Sequence, residues 1–186
     1  MKNFVLLYLL LLSVNSLRAQ SRYFTKAGKI TFYSKSPLEN IEAVNNKAVG
    51  VLDIGTGQIE FAVLMKGFEF EKALMQEHFN ENYVESDKYP KAFFTGVIEN
   101  SHAISLTIDN VTTVKVNGSL TLHGVTNPLN TTAVITAKNG VLEASSHFSI
   151  VLADYNISIP SIVADKINKS ITVSVIIPAF EILTTK

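Results

Sequence analysis

Four histidines, His78, His102, His123 and His147, are the side chains best suited to acid–base or metal chemistry near neutral pH. None sits in an H-E-x-x-H pair, and no two are spaced to put both rings on one helix face. His78 has Glu77 beside it and Glu81 three residues on. A zinc site needs three or four convergent ligands, so His78 reads instead as packing on the core side of a helix. His123 precedes a glycine at the end of an alternating run, the setting of a turn residue bonded to local backbone. Glu77, Glu81, Glu85 and Asp87 offer carboxylates for glycosidase-type pairing. Their bunching in sequence better fits the wet side of a helix and the loop after it. No G-x-S-x-G elbow occurs, and Gly55-Thr56-Gly57 lacks the lysine and following helix of a phosphate loop. The chain has no cysteine, which excludes disulfides, thiolate catalysis and Cys-based metal sites. No catalytic residue, metal site or cofactor is expected.

The elements that carry these residues begin after an apolar leader. Phe4 to Leu12 read FVLLYLLLL, preceded by Lys2 and followed by small or polar residues up to Ala19. That order predicts a secretory signal peptide over residues 1–19, cleaved before Gln20, with the protein periplasmic or secreted. The alternative is an uncleaved anchor, although the run is shorter than the roughly 20 residues a span needs. The expected mature domain, residues 20–186, keeps 14 basic and 16 acidic residues of the 16 and 16 in the whole chain. This balance gives no reason to expect a nucleic-acid partner. With 47% hydrophobic and 17% charged residues the chain is no disordered tail, and its length suits one domain. Sequons at Asn110, Asn117, Asn130, Asn156 and Asn168 matter only in a host that glycosylates.

Period-2 alternation recurs along that domain. Ile30 and Phe32; Ile59, Phe61 and Val63; Val114, Val116, Gly118, Leu120 and Leu122; Phe148, Ile150 and Leu152; and Ile171, Val173, Val175 and Ile177 each form a row on one face. Such rows mark strands with one buried and one wet face. Asn139-Gly140, between two such runs, is a strong hairpin signal. About eight strands with short connections predict a closed antiparallel barrel or a sandwich. The one helical pattern is Glu71–Phe79, with Leu74, Met75, His78 and Phe79 on one face and Asn80 as its expected end. Aromatic residues gather around it, from Phe68 to Phe94, which suits a helical insertion covering one end of a barrel. Physics alone leaves open whether the interior is filled by side chains or holds one small ligand.

Two long stretches carry a resemblance. LMQEHFNENYVESDKYPKAFFTG (Leu74–Gly96) resembles the helix-to-strand signature of the YceI-like family, with Leu74, Phe79, Tyr83, Tyr89, Pro90, Ala92 and Phe94 in comparable places. VNGSLTLHGVTNPL (Val116–Leu129) is similar to the family's strand and turn through Gly118, Leu120, Thr121, His123, Gly124, Val125 and Thr126. FSIVLADYNISIP (Phe148–Pro160) is a weaker third match. The resemblance implies a mainly β fold, an eight-stranded antiparallel lipocalin-like barrel with one short helical insertion. It also implies a lumen that holds a polyisoprenoid or similar amphiphile, without catalysis. Where family members often carry an Arg in the third stretch, this chain has Leu152, so a different head group or a wholly apolar ligand is indicated. The lumen wall is expected to include Phe32, Phe61, Val114, Val116, Leu120, Phe148 and Ile150, with Leu74, Met75 and Phe79 closing one end. A long-chain isoprenoid or other lipid is the expected partner, and a homodimer is left open. Two other readings compete: a filled β domain that binds protein through aromatics near Tyr83 and Tyr89, and an enzyme using His78 or His123.

Overall fold

The computed structural model describes residues 22–105 and 109–183. The leader read at residues 1–19 lies outside them. The elements in chain order are β1 (Arg22–Lys35), β2 (Asn40–Asp53), β3 (Gln58–Leu64), β4 (Glu69–Phe70), α1 (Ala73–His78), β5 (Lys91–Ile98), β6 (Asn110–Leu122), β7 (Val125–Lys138), β8 (Val141–Val151) and β9 (Ser170–Ile182). All pairings are antiparallel, in the order β1-β9-β8-β7-β6-β5-β3-β2, and β1 pairs with β2 to close the ring. Eight strands thus make a barrel without free edges. The two-residue β4 adds onto β2, pairing Phe70 with Ala43.

Turn chemistry sets the registers. His123 and Gly124 take φ of 51° and 74°, and Asn139 and Gly140 take 50° and 78°. Two consecutive residues with positive φ make the tight hairpin that matches strand twist. The β6–β7 ladder accordingly runs unbroken from Asn110↔Ala137 to Leu122↔Val125. This ladder carries Asn127-Pro128 inside β7, where Pro128 sits opposite Ser119 with its side chain exposed.

The strand rows face inward as the alternation predicts, with two interruptions, one in the β1–β2 pairing and one where Leu142 and Ala144 of β8 pair with Phe180 and Ile177 of β9. In β1 and β2 the register jumps between Thr25 and Ile30 and, opposite, between Asn45 and Ala48. The extra residues invert the in–out parity on either side. Asn45, 1% exposed, sits at this irregularity; its amide donates to the Leu64 carbonyl at 3.0 Å and its oxygen accepts from the Lys47 N–H at 2.8 Å. A buried polar side chain is tolerated there because both ends are paired.

The insertion between β4 and β5 differs from the sequence reading in extent. The α-helix covers Ala73–His78 and passes into a π turn over Phe79–Tyr83, with the Val84 N–H bonded to the Phe79 carbonyl at 3.0 Å. Asn80 does not end the helix. Its side-chain amide caps backward onto the Gln76 carbonyl at 2.8 Å, inside the widened turn.

Two apolar clusters fill the barrel from its ends. At the end away from the helix, Leu52, Ile98, Ile135, Leu142 and Ile177 are each at most 2% exposed and form a dense floor. Under the helix, a second cluster gathers around Ala43, Phe68, Val84, Leu122, Tyr155 and Val173.

Candidate lumen and its cap

Between floor and cap lies a cavity of about 540 Å³. Its wall is built from the inward rows of all eight barrel strands, so its apolar character follows directly from the alternation. Phe32, Phe61, Val116, Leu120, Phe148 and Ile150 line it, and Leu74, Met75 and Phe79 stand at the helix end. Val114 does not. It is 5% exposed and packed in the floor cluster, one inward position deeper than Val116. Beyond these positions, the lining includes Ile157, Val163 and Ile167 of the β8–β9 connection, and the small side chains Ala92, Ala133 and Ala144. The sequence signalled neither group, because loop residues have no period and alanine carries a weak apolar signal.

The polar groups along the wall are mostly engaged within the protein. Ser146 Oγ donates to the Thr132 carbonyl at 2.8 Å and lies 3.2 Å from Thr131 Oγ1. Ser34 Oγ accepts from the Asn168 N–H at 2.8 Å. At the mouth, Lys72 and Glu39 pair at 3.0 Å. A cavity wall with satisfied polar groups and abundant side-chain carbon favours an apolar occupant over water.

Four rings close the helix end. Phe32 lies 5.3 Å from Phe68 and 5.4 Å from Phe79, and Phe70 lies 5.0 Å from Phe79, between ring centroids. Leu74 stands at the closing end where the sequence places it, whereas His78 differs from its reading as a core-side residue. Both line the cavity mouth yet are exposed, Leu74 to 61%. The helix caps an opening instead of lying on a sheet, so its apolar face meets space where a core would be.

Glycines shape the middle of the wall. Gly50 pairs with Phe61 across β2–β3, and a Cβ at Gly50 would come within 2.2 Å of the Phe61 ring. The ring therefore occupies the space a Cβ at this position would need. Gly50→Ala should push it into the lumen, lower stability by about 1–3 kcal/mol, and shrink the space. Denaturant titration checks the first effect; uptake of an environment-sensitive fatty probe checks the second.

The histidine most changed from its sequence reading is His123. It is a turn residue, but its partners are distant. Nδ1 lies 3.0 Å from the Tyr155 carbonyl and Nε2 lies 2.7 Å from Glu85 Oε2. A carbonyl only accepts and a bare carboxylate only accepts. A ring N–H therefore serves as the donor to whichever of these acceptors it faces, and the imidazole bridges the two. Tyr89 packs edge-on against the ring at 4.7 Å and crowds Gly124, where a Cβ would meet its ring at 2.5 Å. Asn127 Nδ2 donates to the Asp154 carbonyl at 2.6 Å. Three separate stretches, Glu85–Tyr89, His123–Asn127 and Asp154–Tyr155, thus meet at one latch that ties the helical insertion and the β8–β9 connection to the β6–β7 turn. Glu85, read from sequence as solvated, is half-buried in it, whereas Glu77, Glu81 and Asp87 are exposed. Among the described residues no group of three or more His, Asp or Glu is placed to hold a metal ion.

Burial pushes the Tyr155 phenol above its ordinary pKa, with Asp154 adding to the rise. An unfolded tyrosine releases its proton near pH ~10, while the folded phenol still holds it. Stability is therefore complete below that pH and is lost as pH climbs toward the raised native value. Tyr155→Phe should flatten this alkaline decline in a melting series while leaving neutral-pH melting nearly unchanged.

A model of the YceI-like domain matches residues 22–179, spanning all of the barrel but the end of β9. The chain belongs to the YceI-like family. Solved structures agree in architecture. A polyisoprenoid binding domain from Saccharophagus degradans, implicated in plant cell wall breakdown, superposes with a TM-score of 0.76 at 15% identity, covering 88% of this chain and 99% of that one. BcnA of Burkholderia cenocepacia gives 0.67 at 13% identity, covering 83% and 96%. The Campylobacter jejuni YCEI protein gives 0.55 at 22% identity, covering 73% and 80%. Identities this low carry the fold alone. No curated protein sequence matches. The three stretches that meet at His123 are the same ones that carry the YceI-like resemblance, so the family pattern is seated in the cap latch as well as in the wall.

Proposed function

We propose that this protein is an exported lipid carrier that holds a polyisoprenoid or similar amphiphile in its lumen and performs no chemistry on it. The observation that carries the reading is the 540 Å³ cavity lined by inward apolar rows. A filled barrel would have served a protein-binding module equally well; an unfilled one costs packing energy that an occupant restores. The aromatic residues on which the interaction reading relied are engaged, Tyr89 against His123 and Tyr83 half-buried in the cap cluster. The naming of the Saccharophagus degradans neighbour as polyisoprenoid-binding points to the same ligand class.

Each methylene removed from water contributes about 0.8 kcal/mol, so a long hydrocarbon chain binds without directional bonds. Leu152 half-buries its side chain against the lumen, so no cation meets a head group at that place. This favours a ligand whose polar end stays at the mouth, near Lys166 and His78. Organic extraction of purified protein followed by mass spectrometry is expected to release a long-chain lipid near one per barrel. Protein that is repeatedly empty, and that takes up no added isoprenoid, would overturn the proposal.

A further inference from the structure

Resting on the carrier reading, we infer that the rim of the cavity mouth docks on a lipid bilayer, inserting Leu38, Leu74 and Ile162. These side chains are 68%, 61% and 89% exposed. They come from three elements far apart in sequence: the β1–β2 turn, α1 and the short 3₁₀ turn Ser161–Val163. In each case the next residues line the cavity: Glu39 after Leu38, Met75 after Leu74 and Val163 after Ile162. The exposed apolar tips thus surround the opening of the apolar lumen.

They are also held, not loose. The β1–β2 turn is fixed by Ser36 Oγ, which donates to the Glu39 carbonyl at 2.7 Å and accepts from the Glu39 N–H at 3.1 Å. Lys72 pairs with Glu39 at 3.0 Å, joining the start of α1 to that turn. Asn168 donates to Ser34 Oγ and to the Lys35 carbonyl, each at 2.8 Å, joining the β8–β9 connection to β1. A rim so tied presents its three aliphatic side chains together, at no further ordering cost when they enter an apolar phase.

Charge decides which apolar phase. Lys35, Lys72, Lys166 and Lys169 at this end stand against Glu39, Glu42, Glu69, Glu71, Glu77 and Asp165, with Glu42, Glu69, Glu71, Lys72 and Met75 side by side. A rim with more acidic than basic groups gains nothing from an anionic surface, so insertion of side-chain carbon drives contact and salt should not weaken it. A bilayer is the partner in which these tips and the contents of the lumen are equally soluble. Contact there lets an insoluble chain pass between membrane and barrel without crossing water.

The chain has no cysteine, so single labelling sites can be introduced cleanly. Leu38→Cys and Ile162→Cys carry a polarity-sensitive fluorophore at the rim, and Asn139→Cys carries it on the β7–β8 turn at the opposite end. All forms are prepared with the same N-terminus and mixed with phosphatidylethanolamine–phosphatidylglycerol vesicles. Both rim labels should shift to the blue and be quenched by lipid-borne spin labels, with little loss in high salt, while the Asn139 label stays unchanged. Leu38→Ser/Ile162→Ser should slow vesicle-stimulated lipid exchange at least about tenfold with its lipid content intact. Rim labels indifferent to vesicles, rim labels that shift on raising protein concentration alone, or an equal shift at Asn139 would each overturn the docking. Extraction of the same preparations separates the two readings: indifferent rims on lipid-loaded protein sink the docking only, and responsive rims on protein that never holds lipid sink the carrier only.

Discussion

Ala133→Phe/Ala144→Phe should empty the barrel without weakening it. Both alanines are half-buried on inward positions of β7 and β8 and line the cavity beside the floor cluster. Two rings added there occupy room that the wild-type protein leaves open, so they need not displace wall or backbone. Every methylene of ligand denied its place costs about 0.8 kcal/mol, and tenfold in affinity is about 1.4 kcal/mol. Excluding as few as two methylenes therefore lowers affinity by more than about tenfold. Filling a cavity commonly adds about 0.5–2 kcal/mol of stability. The double variant should carry at least about tenfold less extractable lipid while its denaturation midpoint holds or rises. Opposite signs in the two measurements identify the lumen as the binding space. A fall in both would show that the space was already filled by side chains, and undiminished lipid would place the ligand elsewhere.

The barrel was legible because its inward residues announce themselves by period. Phe148 and Ile150, or Val114 and Val116, alternate with polar neighbours, and such rows joined by Asn-Gly and His-Gly turns narrow the fold to a barrel or a sandwich; the β1–β2 pairing decides for the barrel. Depth was not legible. Alternation says which face a residue takes but not how far along the axis it sits, which is why Val114 falls into the floor while Val116 reaches the cavity. The helix was found by propensity, yet its π turn was not. Phe79–Tyr83 widens to keep Asn80 bonded backward and to carry Glu85 toward His123, a demand made by tertiary partners. The latch itself was hidden for a similar reason. Glu85, His123 and Tyr155 lie 38 and 32 residues apart in sequence across its two contacts, and no local pattern links them. A clue was available in the three resembling stretches, whose joint presence is explained by their meeting at one point.

His123→Asn tests that meeting point and should loosen the cap more than any other single polar change. Asparagine is the right replacement because φ at this position is 51°, a region where asparagine sits with little strain; alanine would confound lost contacts with backbone cost. The shorter side chain cannot span both partners. Loss of the ring N–H to the Tyr155 carbonyl costs about 1–3 kcal/mol where the acceptor stays buried, and the edge-on contact with Tyr89 contributes about 0.5–1.5 kcal/mol more. Glu85, with its side chain 43% exposed, turns to water and adds little. A total loss of about 2–4 kcal/mol is expected, read from denaturant titration. The damage should be local as well as global, with amide exchange quickening first over Val84–Tyr89 and Leu152–Ile157 and bound lipid escaping faster. Glu85→Gln separates charge from geometry. Its amide can donate to Nε2 of a neutral ring whose Nδ1–H still reaches Tyr155, so the latch closes without the carboxylate. That variant should remain within about 1 kcal/mol of wild type and exchange lipid at the wild-type rate. If His123→Asn instead left both stability and lipid release unchanged, the convergence at His123 would be a contact without mechanical consequence, and retention would rest on the four-phenylalanine plug alone.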